Sequence, residues 1–210
     1  AVNPATLGKP PSGNVRQLEI GSSIVHKERI STSSSGSLQV IFVDKTTLSL
    51  GPNTDILIDE FLYDPNAKTG KMAINVAKGV MRFVGGQVSH TAGATITSSS
   101  ATMGIRGGVA LYNVSPKQET TVIHLFGKST VSASGKTELI LRPGYYVEVN
   151  GPGATPTPPR PAPPGLIAAY NAQLQSKPGQ TGGAGKGSAN VNSGGGNGDI
   201  TGSIGQTPNL

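Results

Sequence analysis

The feature that most constrains the fold of this chain lies between residues 13 and 150. There, short segments rich in β-branched and aromatic residues alternate with turns that contain glycine or proline. In the clearest segment, Leu38, Val40 and Phe42 alternate with the residues between them, which is the period of a β-strand. Further segments of four to seven residues are separated by turn formers such as Gly79. None of them has a convincing helical period over ten residues. The region predicts an all-β fold, an antiparallel sandwich or a β-solenoid of many short strands.

The composition divides the chain further. Residues 151–210 contain 14 Gly and 9 Pro, and Asp199 is their one acid, although the chain has 11 acidic residues. Residues 1–12 form a polar arm without a periodic pattern. We therefore expect an extended arm, a β domain over 13–150, a Pro-rich spacer over 151–165 and a Gly-rich tail over 177–210.

One short helix is expected between the spacer and the tail, at residues 166–176. Leu166, Ile167, Tyr170 and Leu174 occupy positions i, i+1, i+4 and i+8, so they share one helical face. A helix of about ten residues is marginal in isolation and needs a surface on which to dock.

We expect both ends of the chain to contact other copies of the protein, because an extended arm or tail can add a strand to a neighbouring molecule or lie in a groove on its surface. The sequence thus favours an exported bacterial structural protein that self-assembles into a homo-oligomer, either an extracellular filament or an envelope-associated polymer. The alternative is a monomeric periplasmic or extracellular binding or sensing module with a flexible tail. The expected assembly contacts are Leu7, Leu166, Ile167, Tyr170, Leu174, Val191, Ile200 and Ile204.

Composition argues against several other functions. The chain has no Cys, which excludes disulfides, thiolate metal sites and cysteine nucleophiles. Its net charge is +6, but the basic residues are scattered, so nucleic-acid binding is not expected. No apolar run approaches the roughly 18 residues of a membrane-spanning helix. The three histidines are isolated in sequence, and we expect neither an enzyme nor a cofactor nor a metal site.

The start of the sequence bears on localisation. It begins at Ala1 without a basic and apolar leader, which fits a mature chain whose secretory signal has been removed. We expect a secreted, periplasmic or extracellular bacterial protein, and contact with the cell envelope or with glycans is a further expectation.

The sharpest local motif is Gly-Ile-Arg-Gly-Gly at residues 104–108. Its glycines allow a tight bend or a close approach of another strand. Arg106 has two readings: it locks this corner by bonding a neighbouring strand, which we favour, or it binds a carboxylate or phosphate through its planar fork. The expected fold-defining residues are Gly104, Arg106, Gly107 and Gly108.

Several segments together resemble the FecR domain, which is named after the iron-dicitrate signalling regulator. They are Ile30-Ser31-Thr32, residues 33–65 with Phe42-Val43-Asp44-Lys45, residues 74–84 around Gly79, and residues 97–108 ending in the Gly-Ile-Arg-Gly-Gly motif. The resemblance covers about residues 15–115. It implies an all-β periplasmic or extracellular module without catalytic residues.

The sequence departs from that family in two ways. Lys45 and Gly108 stand where the family commonly has glycine and threonine. Residues 1–12 and 151–210 also resemble neither the anti-sigma region and membrane helix that precede the domain in the regulators nor the receptor-contacting domain that follows it, and we expect a module without these regions. We therefore do not expect iron-uptake signalling to transfer to this chain.

Overall fold

The structure, a computed structural model, describes residues 6–175, and within them thirteen strands form one mixed sheet. The strand order is β13-β12-β10-β9-β8-β7-β6-β3-β1-β2, with β11 paired to β10 and β5 joining β4 to β7. The prediction of a mostly β fold with one short helix near the C-terminus is confirmed. The elements are β1 Thr6–Lys9, β2 Arg16–Gln17, β3 Arg29–Thr32, β4 Leu38–Ile41, β5 Thr47–Leu50, β6 Asp55–Asp64, β7 Thr69–Val84, α1 Gln87–Thr91, β8 Ala94–Thr97, β9 Thr102–Val114, β10 Thr120–Ala133, β11 Lys136–Ile140, β12 Tyr145–Val149, β13 Arg160–Pro161 and α2 Leu166–Leu174.

Three long strands, β7, β9 and β10, organise the sheet. The first half of β7 pairs with β6 and, in parallel, with β8, whereas its second half pairs with β5 and β9. The sequence places breaks at Gly79, Gly107-Gly108 and Gly127, but all of these lie inside the long strands. Each has a positive φ, so these glycines bend or bulge a continuous strand instead of reversing the chain.

One contiguous hydrophobic core lies on the inner face of the sheet. Alternation along β7 directs Ile74 and Val76, and then Met81 and Phe83 beyond the bend, into this core. Their exposed fractions are 2% or less. Residues from almost every strand contribute, and Val88 of α1 closes one end.

The turn between β4 and β5 anchors α1. The Asp44 carboxylate accepts hydrogen bonds from the Thr46 backbone N–H (3.0 Å) and hydroxyl (2.7 Å), and from the Val88 N–H (3.1 Å). Lys45 has a φ of 72°, which explains why the FecR pattern commonly has glycine there. A buried carboxylate thus caps the otherwise unpaired start of α1.

The expected N-terminal arm is in part a strand of the sheet. Residues 6–9 form β1, which pairs with β2 on one side and with β3 on the other. Gly8 packs against Leu18 and Glu28, where a Cβ atom would collide with both side chains. This part of the arm therefore has its partners within its own chain.

The C-terminal part of the described chain also lies on the sheet. Arg160 and Pro161 pair with β12, and Thr157 N–H donates to Glu148 O at 2.9 Å. The helix that the sequence predicts is α2, within one or two residues of the expected bounds. No helix within residues 6–175 is long and apolar enough to cross a membrane.

Candidate functional site

The Gly-Ile-Arg-Gly-Gly motif lies within β9, opposite a double irregularity in β10. The register shifts between His124 and Phe126 and again between Gly127 and Lys128. A Cβ atom at Gly108 would collide with the Phe126 carbonyl, and one at Gly127 would collide with the Gly107 carbonyl. The two strands approach this closely because these positions carry no side chains. That these glycines define the fold stays a prediction, and their geometry supports it.

A small cationic pocket opens beside this motif. It has a volume of about 280 Å³, and its lining includes Arg106, Lys128, Thr95 and Thr130. Arg106 and Lys128 are exposed and directly opposite each other in the β9–β10 register. None of the ion pairs within residues 6–175 involves either of them. Within this part of the chain, no ion pair supports the interpretation that Arg106 locks the corner by binding an acidic side chain.

A larger, mostly apolar groove lies on another part of the surface. It measures about 650 Å³ and is lined by Leu18, Glu19, residues 21–26, residues 38–43, Ile58 and Phe61. Phe42 and Phe61 form its aromatic element, with ring centroids 4.7 Å apart. Several large apolar side chains near it are exposed: Ile20 by 65%, Val25 by 45%, Ile41 by 67% and Val43 by 74%. We call this surface the apolar groove.

The predicted assembly contacts on α2 face the protein's own sheet. Leu174 is 1% exposed and joins a second, smaller cluster, against which Leu166, Ile167 and Tyr170 pack as half-buried residues. On β1, Leu7 is 42% exposed. Val191, Ile200 and Ile204 lie outside the described residues.

Two basic side chains are buried in unusual settings. Arg82 is 9% exposed, and its Nε has no hydrogen-bond partner within the described chain. Burial lowers the pKa of this guanidinium. His124 is fully buried, and its Nδ1 lies 2.9 Å from the Ser129 hydroxyl. Burial lowers the pKa of His124, and a hydrogen bond with the Gly127 backbone opposes that shift in part.

The His124–Ser129 contact has the components of a base and a nucleophile but not their setting. Both side chains are fully buried in the sheet, so no substrate reaches them. No carboxylate in the described chain orients the ring, since its only side-chain hydrogen bond there is to Ser129. The pair packs the interior and carries no evident chemistry.

A buried hydroxyl cluster was missed by sequence reasoning. Thr120 Oγ1 lies 2.8 Å from Ser98 Oγ and 2.6 Å from Ser100 Oγ, and the Tyr112 hydroxyl donates to the Ala101 carbonyl. Burial raises the pKa of Tyr112 to about 12, although hydrogen bonds with Ser98 and Thr120 oppose this. Its only sequence signal was the run of serines at 98–100. No group of three or more His, Asp or Glu residues in the described part of the chain could hold a metal ion.

Comparison with models of protein families shows the family to which the chain belongs. A family model described as FecR protein matches residues 28–143, which is more than half of the 210 residues. The chain belongs to the FecR family. The resemblance noted from the sequence is thereby confirmed, and the matched range includes β3 to β11, the cationic pocket and one wall of the apolar groove. FecR proteins are regulatory and are not known as enzymes, and their domains belong to periplasmic, membrane-associated regulators.

Solved structures show the same fold. Two crystal structures, at 2.50 and 1.65 Å resolution, of a protein described as a candidate anti-sigma factor from Parabacteroides distasonis ATCC 8503 match with TM-scores of 0.54 and 0.51. The sequence identities are 17% and 14%, and each match covers 68% of this chain and 63% of the other. The match thus spans less than two thirds of that protein. No curated protein matches the chain.

The expectation of a self-assembling structural protein is wrong. Membership of the FecR family, whose proteins are regulatory, indicates a regulatory module, not a filament or an envelope polymer. The assignment of other copies of the chain as its partners is wrong for the same reason. The physical error lay in the ends of the chain: β1 pairs within its own sheet, and Leu174 is buried on its own protomer.

Proposed function

We propose that the chain is a non-enzymatic binding or sensing module of a FecR-type regulator, acting outside the cytoplasm as a monomer by contact with another protein. The apolar groove carries this proposal. Single exposed apolar residues are ordinary on protein surfaces, but a concave surface that gathers several of them is typical of an interaction site. The family's regulatory character supports the same conclusion.

The position of the groove suits a rigid recognition surface. Its wall at residues 38–43 belongs to β4 and the turn that Asp44 stabilises, and the inward residues Leu38 and Val40 are buried in the main core. The opposite wall, residues 18–26, is fixed at its end by Glu28, whose buried carboxylate pairs with Arg16 (2.8 Å) and accepts the Val25 N–H (2.8 Å). Both walls are therefore ordered before a partner binds, which lowers the entropic cost of binding.

The extent of the module remains our proposal. The strands within residues 13–150 would carry recognition, with 1–12 as an arm, 151–165 as a spacer, 166–176 as a helix and 177–210 as a tail. The two neighbours named as candidate anti-sigma factors suggest that the regulated process is transcription by an alternative sigma factor. We therefore include control of such transcription in the proposed function of the module.

The proposal is tested in cells of the organism that makes the protein. The chain is replaced by the double variant Ile41→Asp/Val43→Asp, which puts two charges on the groove. Because both side chains are more than 60% exposed, folding should persist, and far-UV circular dichroism checks this. We expect the variant to change the transcripts of the same set of genes as deletion of the whole chain.

The matched control is Leu139→Asp/Leu141→Asp. Leu139 and Leu141 are 44% and 57% exposed but lie outside the groove lining, so the double substitution adds the same two charges elsewhere. We expect the transcripts in this strain to remain those of the wild type. The proposal fails if deletion changes the transcripts and the groove variant does not, or if deletion itself leaves transcription unchanged.

A further inference from the structure

Two like charges face each other on neighbouring strands in the cationic pocket. Arg106 of β9 and Lys128 of β10 are directly paired in register. Like charges in this position destabilise a sheet unless a counter-charge lies between them. The ion pairs of the described chain involve other residues, and no acidic side chain lines the pocket. Within residues 6–175, these two positive charges are thus uncompensated at an accessible position.

The backbone makes this juxtaposition. Gly107 has no partner in β10, because the register passes from Gly127↔Gly108 directly to Lys128↔Arg106. The bulge requires positive φ at Gly107 (52°), Gly108 (130°) and Gly127 (89°). Bulges redirect side chains and are common next to functional sites. Here the result is that two cations extend toward one pocket.

The pocket has further features of an anion site. Thr95 lines it with a hydroxyl group that is able to donate a hydrogen bond, whereas the Thr130 hydroxyl donates to the Gly104 carbonyl at 3.4 Å. At about 280 Å³ it suits a small group rather than a protein segment. A free phosphate or a phosphate monoester carries a charge of about −1.5 to −2 at neutral pH, which balances two cations, whereas one carboxylate or one phosphodiester would leave one of them uncompensated.

We propose that this pocket binds a free or monoester phosphate group, with Arg106 donating through its planar fork, Lys128 as the second cation and the Thr95 hydroxyl as an additional donor. The site is separate from the apolar groove and does not depend on the function proposed for that surface. A free phosphate and a lipid headgroup that ends in a phosphate monoester share this chemistry, and the experiment distinguishes them.

The first arm uses the complete chain and inorganic phosphate. Two-dimensional NMR, which includes the Arg106 side-chain Nε–H, follows a titration with sodium phosphate against sodium chloride of equal ionic strength. We expect saturable shifts confined to residues 93–95, 104–106 and 128–130. Loss of a charge-assisted hydrogen bond should raise the dissociation constant about tenfold in Arg106→Gln and more in Arg106→Gln/Lys128→Gln.

The second arm uses lipid vesicles. Sedimentation with vesicles of phosphatidylcholine alone is compared with vesicles that contain an equal part of phosphatidic acid, whose headgroup is a phosphate monoester like the ligand proposed for the pocket. If the chain sediments with the anionic vesicles but free phosphate causes no saturable shifts, the ligand is a lipid headgroup. If free phosphate causes saturable shifts but the chain does not sediment with the vesicles, the ligand is a free anion. Either result supports the pocket if Arg106→Gln/Lys128→Gln removes it.

The control variant is Lys71→Gln/Lys117→Gln, which removes two exposed cations elsewhere and lowers the net charge equally. Equal weakening in this variant would show that only overall charge matters and would overturn the proposal. So would the absence of pocket-localised binding in both arms. Mapping of shifts in the unaltered chain decides the first arm even if a variant fails to fold.

Discussion

The two faces of β7 show how differently one strand is covered in this molecule. Met81 and Phe83 face the main core, to which nearly all strands contribute. Val80 and Arg82 point to the opposite face, where a smaller cluster includes Leu111, Ile123 and Tyr146 beneath α2. The first face is covered by strands that are bonded along their backbones, and the second by a nine-residue helix.

The difference indicates which face holds the fold together. The helix α2 starts at Leu166 after the N-cap residue Gly165, without a side-chain cap and without an acid in its first turn. It buries one residue fully, Leu174. A helix of this length has little stability of its own, so its position depends on that packing. We infer that the main core sets global stability, and that α2 is a separable cover on a sheet that folds without it.

The largest effect is expected from Phe83→Ala in the main core. Phe83 is fully buried, so its truncation leaves a cavity and should lower the free energy of unfolding by about 4 kcal/mol. Urea denaturation measures the change. A loss below about 1 kcal/mol would show that this face does not dominate stability.

A smaller effect is expected from Leu174→Ala on the opposite face. Truncation shortens the one fully buried side chain of α2. We expect it to lower the free energy that holds the helix on the sheet by about 2 kcal/mol, so that the helix detaches. Global unfolding monitored at the sheet should change by less than this, because the main core is intact. The amide signals of α2, measured by NMR, should shift toward random-coil values while those of β7, β9 and β10 keep their positions. If the amide signals of α2 and of the three long strands shifted together, α2 would not be separable from the sheet.

Arg82→Met should stabilise the protein by about 1 kcal/mol. The substitution replaces a buried guanidinium, whose Nε is unpartnered among the described residues, by an apolar side chain of comparable length. Thermal unfolding measures the gain. Arg16→Met is the contrasting control, because it leaves the buried carboxylate of Glu28 without its ion pair and should destabilise. A loss of stability in Arg82→Met would show that the guanidinium has a partner that matters.

The last effect concerns pH and His124. Its pKa in the folded protein lies below the ordinary value of 6.5, so the unfolded chain binds the proton more readily. Stability should therefore be full above about pH 6.5 and fall as the pH decreases from there toward the folded-state pKa. The slope contributed by this one proton is at most about 1.4 kcal/mol per pH unit. His124→Gln should show a shallower decline in urea denaturation at pH 7.5, 6.5 and 5.5, and an unchanged slope would assign the decline to other groups.

Much of the main core could be predicted from the sequence, because alternation is a local property. The inward residues Leu38 and Val40 were recognised as a strand pattern, and the helical spacing from Leu166 to Leu174 predicted α2. The strand breaks could not be placed, because glycine with positive φ serves both turns and bulges. Gly79 packs against Thr54 within a continuous strand, and only the neighbouring strand shows this.

The candidate sites were harder to predict because they depend on pairing between distant segments. Arg106 was singled out from its motif, but Lys128 joins it only through the register of β9 and β10. The apolar groove was missed because its wall at residues 18–26 has no periodic pattern and belongs mainly to a loop. The expectation of assembly arose from the same limitation, since sequence does not show whether an apolar helix face docks on its own sheet.

Hydrogen–deuterium exchange of the intact chain, read by NMR, tests the central claim most directly, namely that a stable β unit carries a separable helical cover. The account predicts that core amides of β7, β9 and β10 exchange only through global unfolding, with protection that matches the free energy of unfolding. The amides of α2, including Ala169 N–H, which donates to the Gly165 carbonyl at 2.8 Å, should exchange at least about a hundredfold faster. Equal protection of α2 and the long strands would contradict the account, because cover and sheet would then be one cooperative unit.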